Sequence, residues 1–134
     1  MGQSGIDRET KEFTCLVADD SEFARRTLAR VVTTIGGNVV AEASNGQEAV
    51  DLFKKLKPDL VLLDVTMPVL DGVDTLRRIL EVNGLARVIM VSAVGHREMI
   101  WKAICIGAKH YVTKPYSPDY AGMIIRSVLN GGGV

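Results

Sequence analysis

The sequence predicts an α/β domain: a doubly wound, five-stranded parallel sheet with helices on both faces. Three observations predict it. Short apolar runs alternate five times with amphipathic stretches, the apolar run first each time. The joining segments are short, and right-handed crossovers between parallel strands then place helices on both sides of one sheet. The run Leu60-Val61-Leu62-Leu63 is apolar throughout and bounded by Pro58 and Asp64. That is the pattern of a strand buried on both faces, although periodicity alone leaves a buried helix open.

Residues 1–11 are polar and Gly-containing and are expected to form a loose tail before a domain over 12–130. The first strand pattern, residues 13–18, ends on the carboxylate pair Asp19-Asp20. Ser21 suits an N-cap, and Leu28, Val31, Val32 and Ile35 recur at helical spacing until Gly36-Gly37. Val39-Val40-Ala41 forms a second short strand. Asn45 can cap the next helix with Glu48 three positions on, and Ala49, Val50, Phe53 and Leu56 supply its inner face. The apolar run before Asp64 is the third strand, after which Pro68 and Gly72 delay the next helix until about Val73, with Leu76, Ile79 and Leu80 inward. Val88-Ile89-Met90-Val91 ends at Ser92-Ala93. A helix over about 97–107 follows, with Ile100, Ala103 and Ile104 on one face. His110-Tyr111-Val112 runs into Lys114-Pro115. Ser117-Pro118 starts the last helix, with Met123, Ile124 and Val128 inward, and Gly131-Gly132-Gly133 ends it.

Composition narrows the function classes. The chain has 134 residues, 47% hydrophobic and 24% charged, which suits one domain with its own core. Sixteen basic and sixteen acidic residues cancel, so the clustered positive charge of a nucleic-acid binder is missing. No apolar run approaches the roughly 18 residues of a membrane span. The start has Gly2 but Ile6 where a myristoylation site needs Ser or Thr, and it lacks the basic and apolar regions of a signal peptide. Cys15 and Cys105 have no metal-type spacing and read as reduced thiols of a cytoplasmic protein.

In such sheets ligands bind beyond the carboxyl ends of the strands, where strand order reverses. Asp19-Asp20, Asp64, Ser92 and Lys114 each follow a different strand, so the fold gathers them on one edge. Like charges about 4 Å apart repel by roughly 4 kcal/mol at an effective dielectric of about 20. A divalent cation relieves that repulsion, and Mg²⁺ suits carboxylates, a loop carbonyl and retained waters. Such a metal with a nearby Lys and hydroxyl is equipment for phosphoryl transfer, in which a carboxylate can be the acceptor. Separately, each feature has a plainer reading: Asp19-Asp20 can cap a helix beside Ser21, Lys114-Pro115 can be only a turn, and Ser92 only a loop hydroxyl.

Taken together, Asp19-Asp20, Asp64 with Met67-Pro68 and Asp71-Gly72, Ser92-Ala93 and Lys114-Pro115 resemble the receiver domain of bacterial two-component response regulators. The resemblance spans about residues 12–130, and with no output domain attached it is nearest the stand-alone chemotaxis regulators. It implies a flavodoxin-like sheet with strand order 2-1-3-4-5. It also implies a signalling phosphoacceptor rather than a metabolic enzyme. Asp64 would take a phosphoryl group from a sensor histidine kinase. Asp20, Asp64 and the Thr66 backbone carbonyl would bind Mg²⁺ directly, with Asp19 acting through water. Lys114 would pair with the phosphoryl group, Ser92 would move to hydrogen-bond it, and Tyr111 would swing inward behind Ser92. Thr66 and Val94 occupy positions that tune dephosphorylation. The Lys114–Pro115 bond would be cis. Downstream partners would include a target such as the flagellar motor switch and a phosphatase.

Other residues carry less. His96 and His110 lack acidic or Cys partners at useful spacing and receive no role. Trp101 and Cys105 fall on the outer flank of their helix, where the plain reading is a rim aromatic and the sharper one a partner-binding patch beside Tyr111. Two alternatives stand beside the main reading: a receiver cut from a longer DNA-binding regulator, and an aspartyl phosphatase of the haloacid dehalogenase type. The second requires an Asp two positions after the nucleophile, where this chain has Thr66.

Overall fold

The computed structural model describes residues 13–134; the expected tail over 1–11 lies outside the described residues. Five strands alternate with five helices: β1 Thr14–Ala18, α1 Glu22–Thr34, β2 Asn38–Ala43, α2 Gly46–Leu56, β3 Leu60–Asp64, α3 Gly72–Val82, β4 Val88–Ala93, α4 Arg97–Ile106, β5 His110–Lys114 and α5 Pro118–Leu129. All strand pairs are parallel and the order is β2-β1-β3-β4-β5. This is the flavodoxin-like sheet that the alternation and the resemblance predict.

Side-chain alternation builds two cores. Leu16, Ala18, Val61 and Leu63 face α2, α3 and α4, meeting Phe53, Leu76, Ile79 and Ala103. Cys15, Val17, Leu60 and Leu62 face the other way, onto Leu28, Val32, Ile125 and Val128 of α1 and α5. A central strand buried on both faces cannot alternate with polar residues, so β3 reads as one apolar run and all five of its residues are buried.

The caps follow their chemistry. Ser21, Asn45, Asp71 and Ser117 each accept a backbone N–H from the first turn of the helix they precede, as short polar side chains at helix starts do. Glu48 reaches back to the Ser44 N–H at 2.7 Å.

Two inward assignments are corrected. Leu56 is exposed, because it closes the last turn of α2. Lys57 behind it adopts a left-handed conformation (φ 47°) that turns the chain toward β3. Met123 is exposed as well, because the inner stripe of α5 is Ala121, Ile124, Ile125 and Val128, centred between Ile124 and Ile125, and at about 100° per residue Met123 falls roughly 150° from that centre. Ile104 and Leu80 are partly buried against the core.

Candidate functional site

The switch in strand order lies between β1 and β3, whose pairing brings Ala18 opposite Leu63. Asp19-Asp20 and Asp64 therefore emerge side by side. One carboxylate oxygen from each of Asp19, Asp20 and Asp64 lies within 4.8 Å of the others. Asp19 and Asp64 are buried, at 1% and 5% exposure, and Asp20 is exposed.

Each acid is positioned differently. Asp19 Oδ1 accepts the Ser21 N–H at 2.9 Å, and its Oδ2 accepts Lys114 Nζ at 2.7 Å. Asp64 Oδ1 has the Thr66 N–H at a long 3.4 Å. Burial and the neighbouring Asp19 charge push the Asp64 carboxyl up to about 6, with a smaller push from Asp20; Lys114 and the Thr66 N–H pull the other way. Burial beside like charges is a cost that a bound cation offsets. An all-oxygen donor set fits a hard divalent ion such as Mg²⁺. Neither Cys15 nor Cys105 belongs to the cluster.

Lys114 is the last residue of β5 and partly exposed, and the peptide bond to Pro115 is cis. Two supporting residues lay outside the sequence reading. Arg25 donates through Nη1 to the Asp19 carbonyl at 2.7 Å and through Nε to Glu42 at 3.0 Å, tying the β1–α1 loop to β2. Nothing in the spacing separates Arg25 from Arg26, whose partner is the exposed Glu22; only the phase of α1 does. Tyr116 packs against the α1/α5 core, and burial together with the Asp19 charge pushes its phenol up to about 12.

The β3–α3 loop is held from below. Gly72 N–H donates to the Val65 carbonyl at 2.7 Å, and a Cβ on Gly72 would run into the Asp64 carbonyl oxygen and Val65. Thr66 is exposed at the mouth of the site. Val69 adopts φ 70° with the Leu70 N–H returning to the Pro68 carbonyl at 2.7 Å, a tight three-residue turn of the strained hand.

Ser92 lies one residue beyond Val91, the β-partner of Asp64. It is fully buried, and its Oγ lies 3.0 Å from the Ala93 carbonyl and 3.0 Å from His96 Nδ1. His96 thus belongs to this constellation, although its sequence neighbours gave no partner. Its signal was the four-residue step back to Ser92 across a Gly-containing loop. Val94 is exposed on that loop. Farther out, Trp101 (69% exposed) and Tyr111 line one shallow concavity with Ile100, Ile104 and Val134. Tyr111 points outward, its ring 5.8 Å from that of His110. Cys105 is exposed on the same helix but does not line the concavity.

Comparison with known proteins places this arrangement. The model of the response regulator receiver domain matches residues 15–124. The chain is 42% identical over 104 residues to the chemotaxis protein CheY of Thermotoga maritima, covering 78% of this chain and 87% of that protein. It is 41% identical over 115 residues to the CheY of Bacillus subtilis, covering 86% and 96%. Among solved structures, the CheX–CheY–BeF3–Mg²⁺ complex from Borrelia burgdorferi matches with a TM-score of 0.83 and 36% identity, over 87% of this chain and 88% of that one.

Proposed function

This chain belongs to the family of response regulator receiver domains, and on that premise we propose that it is a phosphorylation-dependent switch whose acceptor is Asp64. The observation that carries this is the placement of Asp64 at the end of the central strand, within one cluster with Asp19 and Asp20 and beside the ammonium that Lys114 directs into it.

Asp64 attacks as a carboxylate. One of its oxygens forms a bond to the phosphorus of a phosphohistidine, the P–N bond breaks, and the imidazole leaves with the electron pair. The groups that favour this state are the ones that pull the Asp64 carboxyl down: the Lys114 ammonium and the Thr66 backbone N–H. Asp20, Asp64 and the Thr66 carbonyl are the groups that would hold Mg²⁺, with Asp19 behind them, supported by the acid cluster and by the Mg²⁺ in the related Borrelia complex. Mg²⁺, when bound, supplies positive charge against the carboxylates and the incoming phosphoryl oxygens. Lys114 pairs with the phosphoryl group, Ser92 donates to it, and Tyr111 moves inward behind Ser92. Thr66 and Val94 stand exposed at the mouth and set how water reaches the acyl phosphate.

The donor is a sensor histidine kinase of the chemotaxis type, and the output is motility through a target such as the flagellar motor switch. Both relatives named above are chemotaxis proteins, which supports this assignment. The setting is cytoplasmic; among the described residues no helix is long and apolar enough to cross a membrane. The surface that changes is the α4–β5 face around Trp101 and Tyr111. The partner bound to CheY in the Borrelia complex supports a further regulator such as a phosphatase.

The test is incubation with a small acyl phosphate and Mg²⁺ followed by intact mass. Wild type gains one phosphoryl group and Asp64→Asn gains none. A gain that persists in Asp64→Asn, or none in wild type, overturns the assignment.

A further inference from the structure

A serine hydroxyl has one proton to donate, and that of Ser92 is already committed. Its Oγ sits 3.0 Å from both the Ala93 carbonyl oxygen and His96 Nδ1. If Nδ1 is the acceptor, the proton goes to His96. If Nδ1 carries hydrogen, the ring donates to Oγ and the proton goes to Ala93. In the first case Ser92 can donate to an oxygen on Asp64 only by giving up His96; in the second it gives up only the Ala93 carbonyl.

His96 occupies the N-cap position of α4, yet makes no side-chain bond to the helix backbone. Its ring is turned instead to the buried Ser92. The residue before it, Gly95, has φ 104° and open space where a Cβ would be, so the loop between the two partners can repack without a side chain in the way. The His96 carbonyl accepts the Ile100 N–H at 3.0 Å, which ties any shift of His96 to the first turn of α4. Ile100 and Trp101 in that helix line the concavity with Tyr111.

We propose that His96, accepting the Ser92 proton through Nδ1, is a positioning residue that latches Ser92 in the unphosphorylated arrangement. Forming the Ser92 bond to a phosphoryl oxygen breaks the Ser92–His96 bond, and the freed His96 carries the change into α4. This rests on Asp64 being the acceptor. The latch taxes every ligand that needs Ser92 free, so its removal tightens binding of a phosphoryl mimic by the worth of one net hydrogen bond, about three- to tenfold.

The experiment titrates beryllium trifluoride into the full chain at saturating Mg²⁺, read by calorimetry, for wild type, His96→Ala, Ser92→Ala and the double variant. His96→Ala is expected to bind the mimic about three- to tenfold more tightly, with Mg²⁺ affinity unchanged. In the Ser92→Ala background the His96→Ala gain disappears, because there is no hydroxyl to release. His96→Asn, whose amide can hydrogen-bond Ser92 in place of Nδ1, stays near wild type. Equal or weaker binding by His96→Ala, or a gain that survives in Ser92→Ala, overturns the latch while leaving the acceptor assignment intact. No binding by wild type overturns both.

Discussion

Lys114 Nζ lies 2.7 Å from Asp19 Oδ2, joining the last residue of β5 to the first residue past β1 across 95 positions of chain. The acid is almost fully buried and the lysine partly exposed. The pair fixes the two outer parts of the site relative to each other. It also leaves Asp64, the third party, without a cation of its own: Lys114 lowers the Asp64 carboxyl, but burial and the Asp19 charge outweigh it.

Replacing that lysine exposes the balance. Lys114→Met keeps most of the apolar stem and removes the charge, so Asp64 loses its main charged counterweight to Asp19. The Asp64 carboxyl is expected to titrate above its present value of about 6, by on the order of one unit. Carboxyl carbon NMR in the presence of chelator reads the shift. An Asp64 titration that stays put or falls contradicts the account.

Asp64 itself should make the metal-free fold pH-dependent. Its carboxyl sits at about 6 in the folded chain against an ordinary 3.8. Below pH 3.8 it is protonated folded or unfolded and costs nothing. As pH rises from 3.8 through 6, the unfolded chain releases its proton first and the fold loses stability. Above 6 the full loss of about 3 kcal/mol is in place. Asp64→Asn is therefore expected to stabilise the protein at pH 7 in chelator by up to about 3 kcal/mol, a Tm gain of roughly 10 °C. The gain shrinks toward zero at pH 4. A melting series from pH 4 to 8 checks both arms, and a gain that grows on acidification contradicts the sign.

The contrast between what the sequence conveyed and what it did not has a physical basis. The strand–helix alternation, the acid edge and the caps follow from local patterns: an apolar run on β3, Asp at strand ends, Ser or Asn before a helix; the strand order came with the family resemblance, because pairing between distant strands leaves no local mark. Leu56 and Met123 were misplaced because period alone does not say where a helix runs past the sheet or which of two adjacent apolar residues faces in. Arg25 and His96 were missed because their partners, the Asp19 carbonyl and the Ser92 hydroxyl, lie on loops, so the phase of α1 and the four-residue step from Ser92 to His96 were only weak signals of them.

Gly72 shows the same limit in another form. Read locally, it is a helix-delaying residue. In the structure its α-carbon lies where a methyl would collide with the Asp64 carbonyl oxygen and Val65, both backbone and unable to yield cheaply. Gly72→Ala is expected to cost about 3 kcal/mol or more and to displace Asp64. Chemical denaturation measures the first. Mg²⁺ titration of whatever remains folded measures the second, as weakened affinity. An alanine variant of near wild-type stability with intact Mg²⁺ binding contradicts the packing.

Val69 stores strain that can be released. It is 80% exposed, so its side chain contributes little burial, yet its φ of 70° is a conformation that a β-branched residue adopts only at a cost. The turn is held by the Leu70 N–H to the Pro68 carbonyl and lies between Asp64 and the cap residue Asp71. Glycine takes up positive φ without that penalty. It loses more freedom on folding, which offsets part of the gain. The net expectation for Val69→Gly is stabilisation on the order of 1 kcal/mol, seen as a higher denaturation midpoint with an unchanged m-value. The site should be untouched by it, because the turn keeps its shape: Mg²⁺ affinity and the Asp64 titration stay at wild-type values. A destabilised Val69→Gly would mean that the exposed valine side chain, rather than the backbone, dominates the energetics of this loop.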